Sequence, residues 1–243
     1  MRILAIDAGN TRIKWGCADE QGWVRQAWRN TEEAAALAAD LGDVPLPDRI
    51  VVSNVAGARA RDAIAAGVAS FKVTAIWVVS SAQQCGVRSG YADPAQLGSD
   101  RWAALIGAWH LAHRACVVAS VGTTLTVDAL SDEGVFLGGT ITPGPELMRA
   151  ALARHTAQLQ VGGGAFYYFP DKTPDAIASG AINALAGSVE RMVRFMEETG
   201  QGTPRTVLTG GGASLLAARL NVPLEVVDNL VLEGLLRIAL DGS

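Results

Sequence analysis

The chain opens with an apolar run at residues 3–6 that stops at Asp7-Ala8-Gly9-Asn10-Thr11. Alternation then resumes through Ile13-Lys14-Trp15-Gly16-Cys17, which predicts a strand, a tight turn and a second strand. A third strand is predicted at 23–28. Thr31, with Glu32 and Glu33 behind it, predicts the capped start of an alanine-rich helix that runs to about Leu41. Buried strands are expected at 50–53 and 75–79, with a helix at 60–70 between them. Over 100–113, Trp102, Leu105, Ile106 and Trp109 recur at i, i+3, i+4 and i+7, the spacing of a helix.

The pattern then restarts. An apolar run at 116–119 leads into Ser120-Val121-Gly122-Thr123-Thr124, and strands are predicted at 125–130 and 135–141. Laid over each other at an offset of 113, ILAIDAGNT and CVVASVGTT share a buried strand, a glycine and a threonine. A repeat this long does not make a solenoid; it fits a duplicated domain, divided as 1–114 and 115–243. The second half continues with helices at 145–159 and 175–198 and a strand at 205–208. A glycine turn at 210–212 leads into a helix from Ala213, and a last helix spans 229–240. The glycine- and aromatic-rich connection 162–172 reads as a mobile flap.

With 243 residues, nearly half of them hydrophobic, the chain buries a substantial core. A net charge of −4 weighs against a nucleic-acid-binding surface. Cys17, Cys85 and Cys116 are too scattered for a disulfide framework or a zinc site and are read as packing residues. His110, His113 and His155 have no metal-ligand pattern and are read as exposed or capping. The opening residues reach an aspartate too early for a signal peptide, and no apolar run is long enough to span a membrane. The expected address is the cytoplasm.

Three segments carry candidate chemistry. The turn after the first strand lets backbone approach an anion, with Asn10 and Thr11 as side-chain donors. Asp7 beside it repels bare phosphate, so it makes sense with a cation such as Mg²⁺ between them. In Gly98-Ser99-Asp100-Arg101, where a loop becomes a helix, Asp100 reads either as a first-turn acid or as a general base for a hydroxyl. Arg101 can grip a carboxylate or phosphate in two-pronged fashion. Thr209-Gly210-Gly211-Gly212 brings backbone close to a flat ligand, while the absence of a P-loop and of GxGxxG weighs against those nucleotide folds.

Together these residues resemble the type III pantothenate kinases of the acetate and sugar kinase/Hsp70/actin superfamily. The resemblance rests on Asp7-Ala8-Gly9-Asn10-Thr11 and on Tyr91 with Gly98-Ser99-Asp100-Arg101. It extends to Gly122-Thr123, to Gly138-Gly139-Thr140-Ile141 with Pro143-Gly144, and to Thr173 before Ala176-Ile177. It implies an α/β fold of two ribonuclease-H-like domains of the actin/hexokinase (ASKHA) type, and ATP-dependent phosphorylation of pantothenate, the first step of coenzyme A synthesis. By position, Asp100 resembles the proton acceptor. Tyr91, Gly98, Ser99, Asp100, Arg101 and Thr173 resemble the pantothenate site. Asp7, Ala8, Gly9, Asn10, Thr11, Arg12, Ile13 and Lys14, with Gly122 and Thr123, resemble the ATP contacts, and Asp7 the Mg²⁺ residue.

The resemblance also implies a homodimer, whose second copy is expected to cover the apolar surface of the 101–109 helix. It implies a monovalent cation, K⁺ or NH₄⁺, held by a second hairpin aspartate. Here Ser120 stands at that position, and an uncharged serine holds potassium less strongly, so only Asp7 is assigned to metal. Two other readings use the same residues. One is a kinase for another small hydroxylated molecule. The other is a non-catalytic nucleotide-binding accessory or regulatory protein, raised by Ser120 and opposed by the presence of both Asp7 and Asp100.

Overall fold

The computed structural model describes residues 1–155 and 163–241. Two compact units emerge from the chain, Met1–His113 with Gly134–Phe136 and Asn229–Ser243, and Arg114–Glu133 with Leu137–Asp228.

In the first unit, β1 (Ile3–Ala8), β2 (Arg12–Asp19) and β3 (Gly22–Asn30) form an antiparallel meander. β4 (Arg49–Asn54) and β5 (Ala75–Trp77) add in parallel on the other side of β1, so the order is β3-β2-β1-β4-β5. Alternate residues of a strand face opposite ways. Leu4, Ile6, Ala8, Ile13, Trp15, Ile50 and Val52 accordingly share one core with α1 (Leu37–Leu41) and α2 (Ala58–Val68).

The helix expected from Thr31 is a 3₁₀ segment, Thr31–Ala36, with only α1 behind it. Thr31 does not cap it: its hydroxyl donates to the Gly9 carbonyl at 2.7 Å, tying this segment to the first turn. Two short strands escaped the periodicity, β6 (Gln83–Gln84) and β7 (Val87–Ser89). Their two-residue loop, Cys85-Gly86, has positive φ at both positions, the geometry that suits a tight hairpin.

The predicted helix at 100–113 is α3 (Ser99–Ala112), ended by His113 in the left-handed conformation. Trp102, Leu105 and Ile106 are fully buried. Within the chain, α7 (Leu230–Asp241) packs on α3. The two helices cross closely because both carry glycine at the crossing. A Cβ on Gly107 would stand 2.7 Å from the Leu230 carbonyl, and one on Gly234 would collide with the Ala103 carbonyl.

In the second unit β8 (Cys116–Val121) pairs antiparallel with β9 (Thr124–Leu130), which neighbours β10 (Val135–Pro143). β11 (Arg205–Thr209) and β12 (Leu224–Val226) add in parallel beyond β8. The order β10-β9-β8-β11-β12 repeats that of the first unit, strand for strand. β1 and β8, offset by 113 residues as the repeat predicted, even show the same succession of buried and half-buried positions. Only the first two residues of β10, Val135 and Phe136, ladder with β7, and they group with the first unit.

Across the second sheet lies α5 (Thr173–Glu198), whose Ile182, Leu185, Val189 and Val193 fill the core. α4 (Pro145–His155) and α6 (Ala213–Ala217) complete the unit. The predicted extension of α4 through 156–159, and Gly162 of the expected flap, lie outside the described residues.

Candidate active site

Strand register builds the first half of the site. Asp7 is the one position of β1 that is not fully buried, with Lys14 beside it on β2 and Ser53 beside it on β4. Directly paired residues share a face of the sheet, so all three project together. One oxygen of the Asp7 carboxylate, Oδ1, is buried without a hydrogen-bond partner. Burial, reinforced by the nearby charge of Asp100, pushes the Asp7 carboxyl from its ordinary 3.8 up to about 7, against the pull of Lys14 and of the Ser53 hydroxyl.

The start of α3 supplies the second half. Gly98 is the N-cap, and Asp100 sits in the first turn with its Oδ1 accepting the Arg101 N–H at 2.8 Å. A Cβ on Gly98 would stand 2.7 Å from that same Oδ1, so the glycine leaves the space the carboxylate occupies. Ser99 is buried, and its hydroxyl lies 2.9 Å from that of Ser53. Asp7 and Asp100, ninety-three positions apart, therefore act on each other electrostatically around this pair of serines.

Arg101 is not a surface arginine: it is 8% exposed, and its guanidinium lies over the Phe136 ring, 5.8 Å from the centroid. Tyr91 meets the same ring at 5.0 Å with a tilt of 50°. Phe136 thus supports two predicted substrate residues from below. Sequence reasoning missed it, since nothing near Phe136 in the chain marks it.

The Gly9 N–H donates to the Arg12 carbonyl at 3.0 Å and the Gly122 N–H to the Thr124 carbonyl at 2.9 Å, so both close their own turns. Ala8 and Ile13 are fully buried, and Arg12 stacks on Trp28 at 4.2 Å. Asn10, Thr11 and Arg12 are exposed polar positions at the first turn, and Thr123 and Thr124 at the second.

In the second unit, Gly144 donates its N–H to the Thr123 carbonyl at 2.8 Å and comes so near Gly122 that any Cβ would collide with its carbonyl. Gly210 and Gly212 pack as tightly on Val121. The predicted glycine loop and the GGTIxPG segment therefore converge on one turn. Ser120, the counterpart of Asp7 in the repeat, lies in register with Thr126 and Thr209, a row of hydroxyls where the first unit has charges. Thr173, at the first turn of α5, lines a mostly apolar cavity of about 810 Å³ with Pro143, Met148, Leu152 and Ile177. Tyr91 and Gly98 to Arg101 belong to the first unit, and Gly122, Thr123 and Thr173 to the second.

The donor chemistry fits Mg²⁺. The Asp7 carboxylate, with one buried oxygen unpartnered, offers a hard ligand, and Mg²⁺ is commonly held by one or two carboxylates with the remainder from water and phosphate. No cluster of three or more His, Cys, Asp or Glu that could hold a metal occurs among the described residues. Cys17 and Cys116 are buried thiols, and burial pushes Cys116 up to about 12. His110 and His113 are exposed, the latter at the helix end.

A family model described as type III pantothenate kinase matches residues 3–195. A type III pantothenate kinase of Nitrosospira multiformis is 46% identical over 241 residues, covering 99% of this chain and 92% of that protein. One from Aromatoleum aromaticum is 47% identical over 241 residues, covering 99% of each. Among solved structures, a conserved putative Baf family transcriptional activator from Campylobacter jejuni matches with a TM-score of 0.61 at 19% identity over 98% of each chain. Lmo2764, a putative N-acetylmannosamine kinase from Listeria monocytogenes, matches with a TM-score of 0.58 at 13% identity over the full length of each. At such identities these structures speak to the fold alone, which is α/β of the actin/hexokinase type.

Proposed function

The chain belongs to the type III pantothenate kinase family, and we propose how its residues carry out that activity. The reaction is ATP-dependent phosphorylation of pantothenate, the opening step of coenzyme A synthesis. Asp100 is the general base. It accepts the proton of the primary hydroxyl as the hydroxyl oxygen bonds the γ-phosphorus and the bond to the β,γ-bridging oxygen breaks, releasing ADP. Phosphoryl transfer asks for positioning and charge stabilisation above all, so one carboxylate in place suffices. The observation that carries this reading is the placement of Asp100 beside Asp7, with Gly98 holding open the space for its carboxylate.

Arg101, held on Phe136, pairs with the pantothenate carboxylate, and Tyr91, Gly98, Ser99 and Thr173 complete that site. Asp7 would hold Mg²⁺, which would supply neutralisation of charge on the phosphates. Asn10, Thr11, Lys14 and Thr123 contact the nucleotide through side chains, and Ala8, Gly9, Arg12, Ile13 and Gly122 shape the turns that present them. The row of hydroxyls at Ser120 offers no charge for a monovalent cation, so activity is expected to depend weakly on K⁺ or NH₄⁺.

The two domains, 1–114 and 115–243, are the two halves of the duplication, with the closing helix α7 returned to the first unit. The chain works in the cytoplasm as a homodimer. Exposed Ile141, Leu147, Leu152, Tyr168 and Phe169 in the second unit support a partner there, since α3 is already covered. No described helix is long and apolar enough to cross a membrane. Asp100→Asn tests the central assignment: kcat on pantothenate with Mg-ATP should fall by about 10²–10⁴-fold with the melting temperature retained. Unchanged turnover would remove Asp100 from the mechanism.

A further inference from the structure

Ser53 belongs to none of the motifs, yet it stands where the two halves of the site meet. It is fully buried, it neighbours Asp7 across the β1–β4 ladder, and its Oγ lies 2.9 Å from Ser99 Oγ. Its hydroxyl pulls the Asp7 carboxyl down, toward the ionised form. A serine has one proton to give and two lone pairs to receive with, whereas an ionised carboxylate only accepts. With Asp7 ionised on a cation, the Ser53 proton goes toward it, and the Ser53 oxygen is left to receive the proton of Ser99. With its proton committed inward, Ser99 can only accept from anything that approaches it from the substrate side.

We propose that Ser53 is a positioning residue of the kinase reaction: it joins the cation-binding strand to the start of α3 and orients Ser99 as an acceptor for a hydroxyl or amide N–H of the substrate. This rests on the assignment of Asp7 to the cation and of Ser99 to the pantothenate site. The arrangement makes chemical sense for a substrate that carries hydroxyl and amide donors. A serine left with a free proton would instead compete with that substrate for the same acceptors. It also makes the rotamers of Asp7 and Ser99 depend on one buried hydroxyl, so disturbing Ser53 should be felt on both sides.

The test is a double-mutant cycle read by calorimetry, with pantothenate titrated into protein saturated with Mg²⁺ and a non-hydrolysable ATP analogue. Ser53→Ala is expected to raise the pantothenate Kd about tenfold, the size of effect that losing one buried hydrogen-bonded hydroxyl produces. Ser99→Ala should do about the same, and the double variant should be no worse than either single one, because both remove the same acceptor. Ser53→Thr keeps the hydroxyl and should restore most of the affinity. Should Ser53→Ala fail to fold, Ser53→Cys preserves volume with a weaker donor and carries the same expectation.

An unchanged Kd in the Ser53 variant, or two effects that simply add, would overturn the role given to Ser53. A wild-type protein that bound no pantothenate would overturn the site assignment beneath it, which is a different result.

Discussion

The guanidinium of Arg101 rests 5.8 Å from the centre of the Phe136 ring, and Phe136 is wholly buried. An arginine over an aromatic face is held by the ring quadrupole as well as by packing, more firmly where water is excluded. The ring therefore aims a charge that the sequence places only at the start of a helix.

Replacing the ring by an aliphatic side chain should loosen Arg101 without opening a large cavity. Phe136→Leu is expected to raise KM for pantothenate by about tenfold while kcat changes less than threefold, the pattern of weakened substrate binding. Steady-state kinetics at saturating Mg-ATP measure both. A fall confined to kcat would show that Phe136 does not act through the binding of substrate.

Gly98→Ala places a methyl group in the space of the Asp100 carboxylate. The side chain, unlike a backbone atom, can swing away. The loss should therefore appear in turnover, roughly 10–100-fold in kcat, and hardly in the melting temperature. A variant that melts much earlier with normal kcat would mean that the backbone moved instead.

Asp7 gives a pH dependence whose sign is fixed by its raised pKa. The folded protein holds the Asp7 proton up to about 7, whereas the unfolded chain releases it near 3.8. Stability from this group is therefore full below about pH 4 and is lost as the pH climbs toward 7. Asp7→Asn cannot ionise and escapes that loss. Its melting temperature relative to the wild type should rise between pH 4.5 and pH 7.5, by on the order of 5 °C in metal-free buffer. Thermal melts across that range decide it: a difference that stays constant with pH would show that Asp7 titrates normally.

The crossing of α3 and α7 depends on the absence of a side chain at Gly234, where a Cβ would collide with the Ala103 carbonyl. Backbone on backbone cannot give way cheaply. Gly234→Val should destabilise the fold by roughly 3 kcal/mol or more, visible as an early shift in urea unfolding. Because α3 carries Asp100 at its start, residual activity should fall along with stability.

The elements that carry Asp7 and Asp100 were legible without coordinates. Asp7, Gly9 and Thr11 announce a turn between two strands because apolar alternation and turn residues are local signals. Asp100 and Arg101 announce themselves at the start of a helix whose period is clear. The duplication was visible for the same reason, and the shared strand order of the two units bears it out. Thr31 misled because a hydroxyl before a helix looks like a cap, whereas here a distant carbonyl, that of Gly9, claims it.

What the amino-acid order determined by itself is the set of elements, the repeat and the charged residues at their ends, each encoded within a few neighbouring positions. Ser53 beside Asp7, Phe136 beneath Arg101 and α7 laid on α3 were decided only in three dimensions. Those pairings depend on which strands lie side by side, in what register, and how closely backbones can approach. They join residues up to well over a hundred positions apart, and no local pattern of polarity reaches that far.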